Sequence, residues 1–178
     1  MKYLVIALCV FASMASADDW DALTEPGAIA VMRHALAPGT GDPAAFTLGD
    51  CSTQRNLDER GREQARKIGA ALRERGITFD RVLTSQWCRT RETAELLDVG
   101  SVSDAPVLNS FFQDFSTRER QTREALDLIA QSDGRILLVS HQVNISALTG
   151  RGTRSGEILA IQVTDDGVDV TGSVLIDP

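Results

Sequence analysis

The chain has 178 residues, of which two are histidine and three are cysteine. So few imidazoles, with no clustered carboxylate motif beside them, leave little from which to build a two-metal centre, and no metal or other cofactor is expected. Basic residues are in deficit as well, 18 Lys and Arg against 25 Asp and Glu, for a formal charge of −7. That balance argues against the broad cationic face that binds nucleic acid or anionic membrane, though not against a small basic pocket. Internal repeats, low-complexity tracts and Pro/Gly/Ser-rich linkers are missing too, so the chain from about Trp20 onward reads as one unit.

Apolar runs are short. The one from Tyr3 to Ala12 falls well below the roughly 20 residues of a membrane-spanning helix. It follows Lys2 and leads to Ala15-Ser16-Ala17, the small-x-small site of a secretory signal peptide, which places residues 1–17 in a cleaved leader ending before Asp18. A buried N-terminal strand or helix is the alternative. A lipoprotein reading through Cys9 is weaker, because Leu8 stands where a small residue is wanted. Residues 18–178, about 160, suit a single domain. Such a chain is expected to be exported, to the periplasm or the medium, with no membrane span after cleavage. Cys9 leaves with the leader, and Cys51 and Cys88 remain. An even pair in an oxidising compartment reads as one disulfide, with two buried thiols as the alternative.

What is present alternates between two periodicities. Ala28–Met32, Arg81–Thr84 and Ile136–Val139 are short continuous apolar runs of the kind buried on both faces of a parallel sheet. Ile158–Val163 and Val168–Ile176 flank Asp165-Asp166-Gly167 and read as two strands joined by a tight turn. Between the runs, Ala65, Ile68, Gly69 and Leu72 recur at helical spacing, with Asp58 placed to cap the start and Gly76 to end the helix. Thr90–Leu97 is a second helical pattern. Ser116 and Glu119 form a capping-box pair ahead of a third, whose stripe is Ala125, Leu128 and Ile129. This alternation predicts an α/β, three-layer sandwich with a mostly parallel central sheet flanked by helices. The loop from Ala35 to Arg55, rich in Gly, Pro, Asp and Thr, is long enough to act as a lid.

Ligands of open α/β sheets bind beyond the carboxyl ends of the strands. Three predicted strands end on chemistry-bearing residues: Arg33 and His34 after the first, Arg89 a few residues after the second, His141 after ILLVS. Two guanidiniums and two imidazoles converging on one sheet edge suit a phosphate, whose oxygens match planar pairs of donors. The start of the Thr90 helix would add backbone N–H groups. Imidazole is a nucleophile at neutral pH without metal help, so His34 is the candidate to attack phosphorus while Arg33, Arg89 and His141 hold the equatorial oxygens. Each histidine taken alone would more often be structural than catalytic; their joint placement favours catalysis.

Arg33-His34-Ala35 after an apolar strand resembles the Arg-His-Gly/Ala signature of the histidine phosphatase superfamily. Ser85 to Ala94 resembles its Ser-x-x-x-Arg-x-x-x-Thr-Ala element, Asn56 to Ala65 its first-helix pattern, and Val139-Ser140-His141 its second-histidine strand. The four matches stand in the family's order. The resemblance implies a phosphoglycerate mutase-like fold, a phosphohistidine intermediate on His34, a phosphate pocket of Arg33, Arg89 and His141, a small phosphorylated substrate and no metal requirement. Two departures accompany it. Gln142 follows His141 where the acid-phosphatase branch has Asp, and Ser110 stands about where the mutase branch has its acidic donor, so both proton donors are missing. The chain is thereby closer to compact exported members, some of which act on phosphorylated envelope sugars. A phosphate-ester binding or regulatory protein on the same fold is the alternative. Asp114, after Phe111 and Phe112, is the candidate leaving-group acid, its pKa expected to be raised by apolar neighbours; a loop cap explains it equally well. Glu92 is the second candidate, and a helix-surface ion pair explains it more simply.

Overall fold

The computed structural model describes residues 19–178; the expected leader, residues 1–17, lies outside them. Its elements are α1 (Asp21–Thr24), β1 (Ile29–Arg33), α2 (Glu59–Glu74), β2 (Arg81–Thr84), α3 (Cys88–Leu97), β3 (Ser101–Asp104), α4 (Arg118–Ala130), β4 (Ile136–Ser140), α5 (Gln142–Thr149), β5 (Ile158–Thr164) and β6 (Gly167–Val174). The six strands form one sheet in the order β3-β2-β4-β1-β5-β6. β3, β2, β4 and β1 are mutually parallel, while β5 and β6 add an antiparallel hairpin at the β1 side.

Period-2 alternation assigns the apolar runs to two faces. Ala30, Met32, Val82, Leu137, Val139, Ile158 and Ala160 point to one side, where Ile68 and Leu72 of α2 and Ala94 and Leu97 of α3 cover them. Val31, Leu83, Ile136, Leu138, Leu159 and Ile161 point to the other, beneath Ile129 of α4 and Ile145 of α5. This is the expected three-layer sandwich. Asp58 caps α2 by accepting from the Gly61 N–H at 2.8 Å, and Gly76 takes a left-handed φ of +68° just past its end. α2 can approach its neighbours because it carries glycine at the contacts: a Cβ on Gly61 would lie 1.9 Å from the Leu36 carbonyl oxygen, and one on Gly69 2.0 Å from that of Leu97.

The expected capping box of α4 does not form. Ser116 instead donates to the Asp114 carboxylate across a 3-10 turn over Phe115–Thr117, and α4 begins without a side-chain cap. Strand β3 is exposed along its whole length and carries no apolar run, so nothing in its sequence announces it. α5 begins directly after His141 with a mixed sequence and one fully buried residue, Ile145, which explains its weak helical pattern.

Candidate active site

Because β1, β2 and β4 run parallel, their carboxyl ends lie on one edge, and His34, Ser85 and His141 stand just beyond them. The backbone there is closely tied. The His34 N–H donates to the Ser140 carbonyl at 3.1 Å, and the Ser85 N–H to that of Val139. Thr93, one helical turn after Arg89, donates its hydroxyl to the Arg89 carbonyl at 2.6 Å and accepts the Ala35 N–H at 3.0 Å, locking α3 to the turn that carries His34. Gln64 is wholly buried; it accepts the Leu36 N–H and donates to the carbonyls of Ser155 and Ile176.

His34 is 2% exposed and its Nδ1 lies 2.7 Å from the Ala35 carbonyl oxygen. A carbonyl only accepts, so Nδ1 carries the proton and Nε2 keeps a lone pair. That lone pair faces the Arg89 Nε–H at 3.2 Å. Burial, the Arg89 charge and, more weakly, Arg33 and Arg55 push the imidazole well below its ordinary pKa, against the opposing Ala35 hydrogen bond. His141, with its ring centroid 5.6 Å from that of His34, is lowered likewise by burial and then by His34 and the arginines. Its Nε2 sits 2.7 Å from the Ser85 hydroxyl. Both histidines are neutral at pH 7, and His34 Nε2 is unprotonated beside the arginines, the form in which an imidazole can act as a nucleophile.

Arg33 anchors one Nη on the Thr153 carbonyl at 3.1 Å, and among the described residues its buried Nε has no partner. A buried, unpaired guanidinium donor is a waiting anion contact. Arg55, at the end of the long loop, donates to the carbonyls of Gly41 and Ala37 and is pushed down to about 10 by burial and by Arg89 and Arg33, against the opposing pull of Asp42, so it stays charged. These groups line a cleft of about 200 Å³, with Trp87, Ser110, Phe112 and Gln142 on its walls. That volume exceeds what a phosphate alone would fill and leaves room for an ester group.

The model of branch 1 of the histidine phosphatase superfamily matches residues 29–108, the segment that holds Arg33, His34 and Arg89. Similar solved structures include an Entamoeba histolytica phosphoserine phosphatase in complex with 3-phosphoglyceric acid (TM-score 0.62, 13% identity, 84% of this chain and 97% of that one). An alpha-ribazole phosphatase from Shigella flexneri aligns at TM-score 0.57 and 19% identity over 82% of this chain and 95% of that one. At these identities the likeness is one of fold. The mitochondrial serine/threonine-protein phosphatase Pgam5 of Drosophila grimshawi is 37% identical over 67 residues, 34% of this chain and 23% of that protein. The chain thus spans about a quarter of the length of that relative.

The cleft brings together four of the five sequence-predicted site residues: Arg33, His34, Arg89 and His141. Asp114 is not among them. It is exposed, does not line the cleft, and caps the 3-10 turn; hydrogen bonds from the Ser116 hydroxyl and N–H hold its carboxyl below the usual range, opposite to the expected rise. Glu92 pairs with Arg62 at 2.8 Å between α3 and α2, away from the cleft. At the start of α3 the Cys88 N–H donates to Gln54 and those of Thr90 and Arg91 to the Trp87 carbonyl, so three of its first four amides are already engaged. Gln142 spends its amide oxygen on the N–H and hydroxyl of Thr153. Cys51 and Cys88 are bonded, with Cα atoms 5.7 Å apart. Among the described residues no three His, Cys, Asp or Glu side chains gather as a metal site, and no helix is long and apolar enough to cross a membrane.

Sequence reasoning missed Asp42, Arg55 and the role of Trp87. The Asp42 carboxylate bridges the two Nη atoms of Arg89 at 2.7 and 3.1 Å, and accepts the Trp87 indole N–H at 3.0 Å and the Arg55 N–H at 3.1 Å. Trp87 stacks on Phe46 and meets His141 edge-on, and it forms part of the cleft wall. The loop's length marked it as functional, but no spacing within it singles out Asp42, whose partner lies 47 residues away.

Proposed function

We propose that the protein is an exported phosphomonoesterase that hydrolyses small phosphate esters through a phosphohistidine on His34, without a metal. The observation that carries this reading is the neutral His34, its Nδ1–H fixed on Ala35 and its Nε2 lone pair turned to a pocket of three arginines. Nε2 attacks phosphorus in line. Arg33, Arg55 and Arg89 neutralise the charge spread over the equatorial oxygens, and His141 contributes a further contact as charge builds. Water then cleaves the P–N bond and releases phosphate. The Cys51–Cys88 bridge supports export, since such bonds persist in oxidising compartments. Phosphorylated sugars of the cell envelope are the first substrate class to test, alongside phosphoserine-like and nucleotide esters. Names borne by the fold neighbours and relatives point the same way, to phosphatases of small and protein-bound esters.

Acid quench during turnover of an aryl phosphate should trap phosphate on His34 in an acid-labile, base-stable bond, and His34→Ala should abolish both label and turnover. Full activity in that variant sinks the reading. A second reading, a phosphate-ester binding protein of little activity, draws on the Asp42 carboxylate occupying Arg89. It predicts that an aryl phosphate binds without turnover.

A further inference from the structure

Four of the five N–H donors of Arg89 are already engaged: Nε with His34, Nη1 with Asp42 and the Arg55 carbonyl, Nη2 with Asp42. A guanidinium meant for phosphate is thus held by a carboxylate whose side chain is 7% exposed. Among the described residues lining the cleft, Asp42 is the one carboxylate. His34 and Asp42 meet opposite ends of the same guanidinium, the nucleophile at Nε and the carboxyl at the Nη fork. A phosphoryl group that takes over the Nη donors would lie between His34 Nε2 and the displaced Asp42 carboxyl, the order of nucleophile, phosphorus and leaving-group acid that in-line displacement requires.

Resting on the phosphatase reading above, we infer that Asp42 is the leaving-group acid of this site, parked on Arg89 until phosphate takes its place. Burial drives the Asp42 carboxyl up, while the Arg89 hydrogen bonds and charge, the Trp87 indole and the Arg55 N–H bring it net below the usual range. The charged groups facing it are Arg89 on α3 and Arg55 at the loop's end; Arg33, His34 and His141 line the same cleft. When a phosphate dianion binds the Nη donors of Arg89, Asp42 loses its counter-ion and gains an anionic neighbour, and burial then favours its protonated form. The proton enters from solvent, or on a monoanionic ester, whose second pKa is about 6. As the His34 Nε2–P bond forms and the P–O ester bond breaks, that proton passes to the ester oxygen and the alcohol leaves. The resulting carboxylate accepts a proton from the water that attacks phosphorus, the P–N bond breaks, and His34 is regenerated. Gly39 and Gly41, both at left-handed φ, stand just before Asp42, while the disulfide at Cys51 pins the loop beyond it.

The test compares an aryl phosphate, whose leaving group departs unassisted, with an alkyl phosphate, whose alkoxide does not. Asp42→Asn should slow alkyl turnover by about 10² to 10⁴ more than it slows aryl turnover. Asp42→Glu, which keeps a carboxyl, should recover part of the alkyl rate and keeps the inference testable where Asp42→Asn does not fold. The alkaline limb of kcat should appear on the alkyl ester and not on the aryl one. Equal losses on both substrates, with KM raised on both, make Asp42 a brace for Arg89 and overturn the inference. Wild-type protein inert to aryl phosphate, with no label on His34, overturns the phosphatase reading itself and the inference with it.

Discussion

His34 and His141 show how a side chain's surroundings set its chemistry. Each is buried beside arginines, so each stays neutral where an exposed imidazole would begin to charge. The same fact makes stability depend on pH. Both folded values lie below the ordinary 6.5, so below that pH the unfolded chain binds protons the native one refuses. Stability should be highest above about pH 6.5 and fall with acidification by up to about 1.4 kcal/mol per pH unit per histidine. Urea unfolding from pH 5 to 8 reads this slope, and replacing both histidines by Gln should flatten it. Replacing His141 alone by Ala removes one transition-state contact, and a loss on the order of 10² to 10³ in kcat on an aryl phosphate is expected.

At the scale of elements, the site depends on α2 and α3 seating the loops around His34. Gly61→Ala drives a Cβ into the Leu36 carbonyl two residues from His34, so a cost of about 1 to 3 kcal/mol should come with reduced kcat. Chemical denaturation paired with steady-state rates checks both. The Cys51–Cys88 bridge closes a loop over a separation of 37 residues and ties the Asp42 loop to the start of α3. Replacing both cysteines by Ala should cost about 2 to 4 kcal/mol and speed amide exchange in residues 39–50. Two alkylatable thiols in exported, unreduced protein would refute the bridge.

For the whole molecule, an acidic chain gathers three arginines around one cleft and sets a single carboxylate against them. Binding of a doubly charged anion should therefore stabilise the fold. Inorganic phosphate at 100 times its Kd contributes about 2.7 kcal/mol, which for a domain of this size raises Tm by roughly 5 to 10 °C. Arg33→Ala should lose most of the shift, because the unpaired Arg33 Nε is one of the contacts that produce it. A thermal scan with and without phosphate reads the difference, and EDTA should change neither the shift nor turnover.

The central strands and the two main helices of one layer were legible in the sequence because their signals are local. Apolar runs at Ile29, Arg81 and Ile136, the helical stripe from Ala65 to Leu72, and the Asp58 cap each depend on neighbours a few residues away. Arg33, His34, Arg89 and His141 were legible for a related reason: parallel strands put their carboxyl ends on one edge, so residues that follow strands meet there. Asp114 was misjudged because the 3-10 turn that it caps leaves it in water, where the Ser116 hydrogen bonds and not apolar neighbours set its charge state. Only the tertiary structure paired Asp42 with Arg89, set Trp87 in the cleft wall, and left Arg33 Nε without a partner among the described residues. Hydrogen bonds across dozens of residues depend on where an irregular loop folds back, and a loop held by scattered polar contacts leaves no periodicity in the sequence to read.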